Sequence, residues 1–224
     1  MLLRWCFGIL AVVGLSGCIG SGFADRSDVQ RDVIRSATLY DGDVVVRAPQ
    51  GYCIDRRSMR DRAAQGFVVL ASCESLSGVR GQKVEPVIMT LTVLPGRAGV
   101  RRPSATDIAA SMPDMRVIER VESDDLSLVH FASGGNQALL GKDPKHWRGA
   151  MAVNGHLIGL ALYGRQGSKM AGQDGQGLLR ALAQNTKSAS PVRPLVVDAA
   201  PEQTSVSPPA SLRGLLGGLF PDSS

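Results

Sequence analysis

The stretch Trp147-Arg148-Gly149-Ala150-Met151-Ala152-Val153-Asn154-Gly155-His156-Leu157-Ile158-Gly159-Leu160-Ala161-Leu162-Tyr163 decides the fold. Asn-Gly is the preferred dipeptide of a two-residue type I′ turn, whose twist matches that of the strands it joins. It predicts a hairpin with Val153 opposite His156, Met151 opposite Ile158, Gly149 opposite Leu160 and Trp147 opposite Leu162. The bulky residues then share one face. The other face carries Ala152 opposite Leu157, Ala150 opposite Gly159 and Arg148 opposite Ala161. A slip of one residue would turn Trp147 to the wrong side, so the turn and the side-chain pattern constrain each other. The small-residue face predicts close approach of a helix. The candidate follows at once, capped by Asp174, with Leu178, Leu179, Leu182 and Ala183 as its apolar stripe, ending near Lys187.

Upstream, Val87 to Leu94 alternates, with Val87, Met89, Leu91 and Val93 on one face and Thr90 and Thr92 on the other. Pro86 and Pro95 bracket it. Val44-Val45-Val46, Tyr52-Cys53-Ile54, Phe67 to Cys73, Met115 to Val121 and Leu126 to Phe131 are further strands. Ser104-Ala105-Thr106-Asp107 has the capping-box pattern, so a short helix follows and Pro113 stops it. Asp55 to Ala64 reads as a brief helix capped by Asp55 and ended by Gly66. These elements predict an α+β class: a twisted, largely antiparallel sheet of six to eight strands with two or three helices mainly on one face.

The chain has 224 residues, of which 44% are hydrophobic and only 4% aromatic. That suffices for one core packed mostly by aliphatic side chains. The net charge of +5 favours anionic neighbours such as lipid headgroups or acidic glycans, or serves only solubility. No basic stripe interleaved with aromatics points to nucleic acid.

The amino end reads as an export signal. Arg4 is followed by the apolar run Trp5 to Leu15, too short to span a bilayer, and then by Leu15-Ser16-Gly17-Cys18. That tetrapeptide resembles the lipobox of bacterial lipoproteins. The resemblance implies cleavage before Cys18, a lipid on its sulfur, and a membrane partner through that lipid. It places the chain at the cell envelope facing the periplasm. Ile19 after the lipid-bearing cysteine, rather than Asp, leans the destination towards the outer membrane.

The expected organisation is a signal peptide over 1–17, a lipidated tether over 18–42, one domain over 43–188 and a tail over 189–224. Six prolines punctuate that tail in a Ser/Ala-rich context. Leu212 to Phe220 forms an apolar patch inside it, a candidate docking peptide for a partner or a membrane surface.

Cys53 and Cys73 remain as an even pair in an exported domain, which predicts a disulfide. Their spacing fits neither Cys-x-x-Cys nor a zinc site. Arg56, Arg57, Arg60 and Arg62 form the densest positive patch. Guanidinium forks suit phosphate and carboxylate groups on lipid or glycan. The alternative is a solvated face with local pairs to Asp55 and Asp61.

His130, His146 and His156 do not share ligand spacing on one element, so no metal site and no cofactor is predicted. No Gly-x-Ser-x-Gly is present, and the Gly167-Ser168-Lys169 loop fails the phosphate-loop pattern because Met170 follows the lysine. No catalytic residue is singled out. The function expected is a non-enzymatic binding or assembly module. A periplasmic enzyme on lipid or glycan, using the arginine segment and His146 together, and a small-ligand carrier are the alternatives.

Trp147-Arg148-Gly149, Asn154-Gly155 and Leu178 to Leu182 also resemble the PsbP-like family, in which a sheet ends in a strand pair followed by a helix. Ala48 to Asp55 with Phe67 to Cys73 is similar to lipoproteins of alphaproteobacteria. Both resemblances imply architecture and place, and neither implies an activity.

Overall fold

The structure, a computed structural model, describes residues 33–193. The signal 1–17, the lipobox with Cys18, most of the expected tether and the Leu212 to Phe220 patch lie outside the described residues. The fold is α+β, a large antiparallel sheet with several helices and one disulfide. In chain order the elements are β1 (Val33–Ile34), β2 (Ser36–Leu39), β3 (Val44–Arg47), β4 (Tyr52–Arg62), β5 (Gln65–Ser72), α1 (Cys73–Ser77), β6 (Val87–Val93) and α2 (Ala105–Ser111). They continue with β7 (Val117–Glu122), β8 (Leu126–Phe131), α3 (Gly135–Ala138), β9 (Lys142–Val153), β10 (His156–Arg165) and α4 (Gln173–Ala189). Eight strands form one sheet in the order β1-β4-β5-β6-β10-β9-β8-β7, and β2 pairs with β3 separately.

The central hairpin has the register expected of its turn. Val153 pairs with His156, Met151 with Ile158, Gly149 with Leu160 and Trp147 with Leu162. Asn154 and Gly155 both take positive φ, 49° and 78°, as a type I′ turn requires. The four apolar residues of one face of β6, Val87 to Val93, join Trp147, Met151, Leu160 and Leu162 in the main core. α2 has its capping box: Ser104 Oγ accepts from Asp107 N, and Asp107 accepts from Ser104 N.

The helices lie mostly on one face, as expected, but the face taken by the last helix differs from the expectation. Most helical residues lie in α4, and α4 covers the bulky face, where Leu179, Leu182 and Ala183 meet Trp147, Met151, Leu160 and Leu162. The small-residue face takes α2 instead: Ala105, Ile108 and Ala109 pack on Val129, Phe131, Ala150 and Leu157. Small side chains do admit a helix there, but it is the one before β7. α4 starts from Gly172 without a side-chain cap, and Asp174 sits in its first turn.

The largest correction concerns Asp55 to Ala64, which is not helix: Asp55 to Arg62 is strand and Ala63-Ala64 a turn. β4 runs to Arg62 and pairs with β5 as Arg60–Phe67, Asp61–Gly66 and Arg62–Gln65. The ladder is interrupted between Asp55 and Arg60, and there Ser58 Oγ accepts the Val69 N–H, 2.8 Å. The side chain stands in for the missing backbone acceptor. Helix propensity of arginine, methionine and alanine is a weak preference, and pairing with β5 overrides it.

The body also begins earlier and ends later than 43–188. β1 pairs with β4, and β2, whose Ala37 and Leu39 are buried between exposed Ser36 and Thr38, pairs with β3. At the other end Ser190 Oγ accepts from Val45 N, 2.9 Å, so the chain stays attached past α4.

Cys53 and Cys73 are disulfide-bonded, 20 residues apart. Cross-linking a loop of that length removes unfolded-state entropy worth about 3 kcal/mol in the chain-entropy model. Cys53→Ala with Cys73→Ala should lower the unfolding free energy by about 3 kcal/mol in urea. An unchanged midpoint would mean that the unfolded chain already keeps the β4–β5 hairpin closed.

Candidate functional site

The structure places Arg60, Arg62 and Arg97 at one end of the sheet, while Arg116 and Arg165 are exposed at the other. Gly66 of β5 pairs with Val93 of β6, and Val93 pairs with Ile158 of β10, so the β4–β5 tip and the Asn154-Gly155 turn lie at the same end. Between them sits Tyr40. Its N–H reaches Asp61 Oδ1 at 3.3 Å, its hydroxyl donates to Val93 O, and its ring lies 4.5 Å from that of His156.

Arg56, Arg57, Arg60 and Arg62 are all exposed on β4. β1 covers only Ile54 and Asp55, so β4 beyond them is an edge strand among the described residues. Charged side chains on an open edge oppose pairing with a second sheet. Arg60 donates to the carbonyls of Arg57 and Met59. Asp55 accepts the Arg57 N–H, and Asp61 the Tyr40 N–H. Neither carboxylate forms an ion pair with Arg56, Arg60 or Arg62, so the local pairing considered from the sequence is absent at these three.

A cleft of about 240 Å³ opens beside the turn, lined by Arg97, Val100, Ala152, Asn154, Gly155 and Arg193. Asn154 builds it. Its side chain donates to Asp43 O at 2.7 Å and to Pro191 O at 2.8 Å, and accepts from Arg193 N at 3.4 Å. One side chain thus ties the hairpin to the segments before β3 and after α4. Asp43 forms an ion pair with Arg193 Nε at 2.7 Å, which partly neutralises that guanidinium. Arg97 has no acidic partner among the described residues. The cleft is smaller than a drug-sized ligand site, and its size and charge suit a small anionic group.

The three histidines are structural. His130 stacks on Trp147 at 4.4 Å, and its Nε2 lies 2.8 Å from Ala171 O. A carbonyl only accepts, so Nε2 carries the hydrogen. Burial lowers its pKa. Trp147 Nε1 donates to Gly172 O, so both rings fasten the segment that begins α4. His156 Nδ1 donates to Leu94 O, 2.8 Å, and Nε2 faces Asp43 at 3.4 Å.

His146 is fully buried, stacked between Phe131 at 5.4 Å and Tyr163 at 5.5 Å. Nδ1 donates to Pro144 O, and Nε2 is buried without a hydrogen-bond partner. Burial, with Arg148 beside it, pushes its pKa down to about 3. Arg148 itself lies over the Tyr163 ring, 5.4 Å from its centroid.

The sequence paired His146 with the arginine segment in one alternative. The structure separates them: His146 lies opposite Tyr163, which pairs with Ile88, at the far end of the sheet from Val93 and Gly66. No three metal-ligating side chains cluster among the described residues. No helix among them is long and apolar enough to cross a membrane. Arg97, Asn154, Asp43 and Arg193 were not foreseeable as one group, because their contacts join residues far apart in the chain, 111 positions for Asn154 and Asp43. No family model matches the chain, and no curated protein or solved structure shows significant similarity to it.

Proposed function

We propose that the protein is a membrane-anchored, periplasm-facing lipoprotein that acts as a non-enzymatic binding or assembly module of the cell envelope. The observation that carries the reading is the Cys53–Cys73 disulfide. Disulfides persist in oxidising compartments and are rare in a reducing cytosol. An exported domain with its two core cysteines joined leaves Cys18, in Leu15-Ser16-Gly17-Cys18, as the thiol of a lipobox. A binding role is further supported by where the chemistry lies. The three histidines are buried, whereas Arg60, Arg62 and Arg97 are exposed together at one end of the sheet.

Mass spectrometry of the protein purified from its own envelope tests the reading. The expected product begins at residue 18 and carries acyl chains on that residue, and it fractionates with the outer membrane in preference to the inner. Cys18→Ser should abolish acylation and leave the signal attached. A native product that starts upstream of residue 18 and carries no lipid would overturn the proposal.

A further inference from the structure

The described chain finishes at the arginine-bearing end and begins mid-sheet with a strand that runs away from that end. β1 pairs antiparallel with β4, Val33 with Asp55 and Ile34 with Ile54, so the chain arrives at Val33 from the side of the β4–β5 tip. At the other terminus Arg193 is bonded to Asn154 and Asp43, at the turn of the central hairpin. The segment from Cys18 to Val33, fully extended, reaches about 50 Å at most. A lipid on Cys18 therefore keeps the domain close to the bilayer, with its tip end on the side from which the tether arrives.

The charges at that end are unequal in their engagement. Asp43 is paired with Arg193, Glu122 with Arg102 and Asp125 with Lys187, while Asp55 and Asp61 accept backbone N–H groups. Among the described residues, Asp41 and Asp124 are exposed there without such bonds, and Arg56, Arg60, Arg62, Arg97 and Arg101 have no carboxylate partner. A guanidinium that no carboxylate holds can fork onto a phosphodiester.

We infer that the tip end of the sheet, through Arg60 and Arg62 with Arg97 beside the cleft, rests on an anionic phospholipid surface. The inference depends on the lipid anchor at Cys18 for its orientation. It gives the arginines of the open β4 edge a partner as well as a protective role.

Vesicle co-sedimentation tests it without the anchor. The chain from residue 18 onward, carrying Cys18→Ser, is mixed with vesicles of phosphatidylglycerol and phosphatidylcholine in roughly equal parts, or of phosphatidylcholine alone. Binding should favour the anionic vesicles and weaken as salt rises. Each basic residue near an anionic surface contributes roughly a fivefold gain, so Arg60→Gln with Arg62→Gln should weaken binding about thirty-fold. Both side chains are exposed, and an unchanged melting temperature confirms that the variant folds. Lys142→Gln with Lys145→Gln, at the far end of β9, should leave binding unchanged. Equal binding to both vesicle types, no effect of the arginine variant, or a larger loss from the lysine variant would each overturn the inference. Failure of the anchor is read separately, as an unacylated native residue 18, and does not alter the vesicle result.

Discussion

Lowering the pH through the range between the ordinary histidine pKa of 6.5 and about 3 is expected to destabilise the fold by roughly 5 kcal/mol through His146. The sign follows from the buried ring. In the folded state its pKa is depressed to about 3, because burial between Phe131 and Tyr163 and the nearby Arg148 guanidinium disfavour the imidazolium. In the unfolded chain it titrates near 6.5. Above 6.5 neither state binds the proton, and stability is unaffected. As the pH falls below 6.5 the unfolded state takes up a proton that the folded state refuses, and stability drops by about 1.4 kcal/mol per unit. The loss is complete only near pH 3, where the folded ring also protonates. His130, lowered by burial too, pulls in the same direction.

Carboxylates titrate mostly below about pH 5, so the window above it isolates the histidines. Urea unfolding at about pH 5 should show a free energy about 2 kcal/mol below that at neutral pH. His146→Phe keeps an aromatic ring in the stack and removes the proton site. It should recover most of that difference, even if its stability at neutral pH changes. Equal losses in the parent and in His146→Phe would refute the assignment of the acid lability to this ring. A histidine Cε1 resonance that fails to titrate above about pH 5 is the matching spectroscopic signature.

How much the sequence disclosed depended on how local each decision was. The hairpin was readable because Asn154-Gly155 fixes the backbone and the flanking alternation has one consistent register. The α2 capping box was readable because its hydrogen bonds join residues three apart. The disulfide followed from parity, once the amino end was read as an export signal. Asp55 to Arg62 was not readable, because its choice of strand rests on β5 and on Ser58 filling a bulge. β1 and β2 were obscured by their brevity and by a mixed-charge context.

The face taken by α4 could not be decided locally either. Both faces of the hairpin are coverable, and the outcome depends on which helix the chain path delivers to each. The arginine segment was noticed as a charge cluster. Its meaning changes once it lies on an open strand edge that leads to the end where Arg193 is held. The cleft was hidden for a similar reason. Asn154 looked like a turn residue, and only the fold brings Asp43, Pro191 and Arg193 to its amide.

Two glycines of α4, two positions apart, should respond to the same substitution with opposite signs. Gly175 is buried, and a Cβ there would collide with the Met170 carbonyl oxygen and lie 3.0 Å from Trp147 Cδ1 and 3.1 Å from Leu162 Cδ2. The first of these atoms is backbone and cannot rotate away, so Gly175→Ala must push the start of the helix off the sheet. Overpacking of this kind costs about 1–3 kcal/mol. The same displacement breaks the Trp147 Nε1 bond to Gly172 O and strands a buried donor, adding about 1–2 kcal/mol. We expect Gly175→Ala to lower stability by about 4 kcal/mol in total. Gly177 is exposed in the same helix, and a Cβ added there would meet nothing within 4 Å. Alanine there only restricts the unfolded chain and improves helix propensity, so Gly177→Ala should raise stability by about 0.5–1 kcal/mol. Urea melts of both variants, with Trp147 fluorescence as a reporter of its lost hydrogen bond, decide the matter. If Gly175→Ala is neutral or stabilising, α4 does not approach the bulky face as closely as the core requires. If Gly177→Ala destabilises as strongly as Gly175→Ala, the effect belongs to the helix as a whole and not to its contact with Trp147.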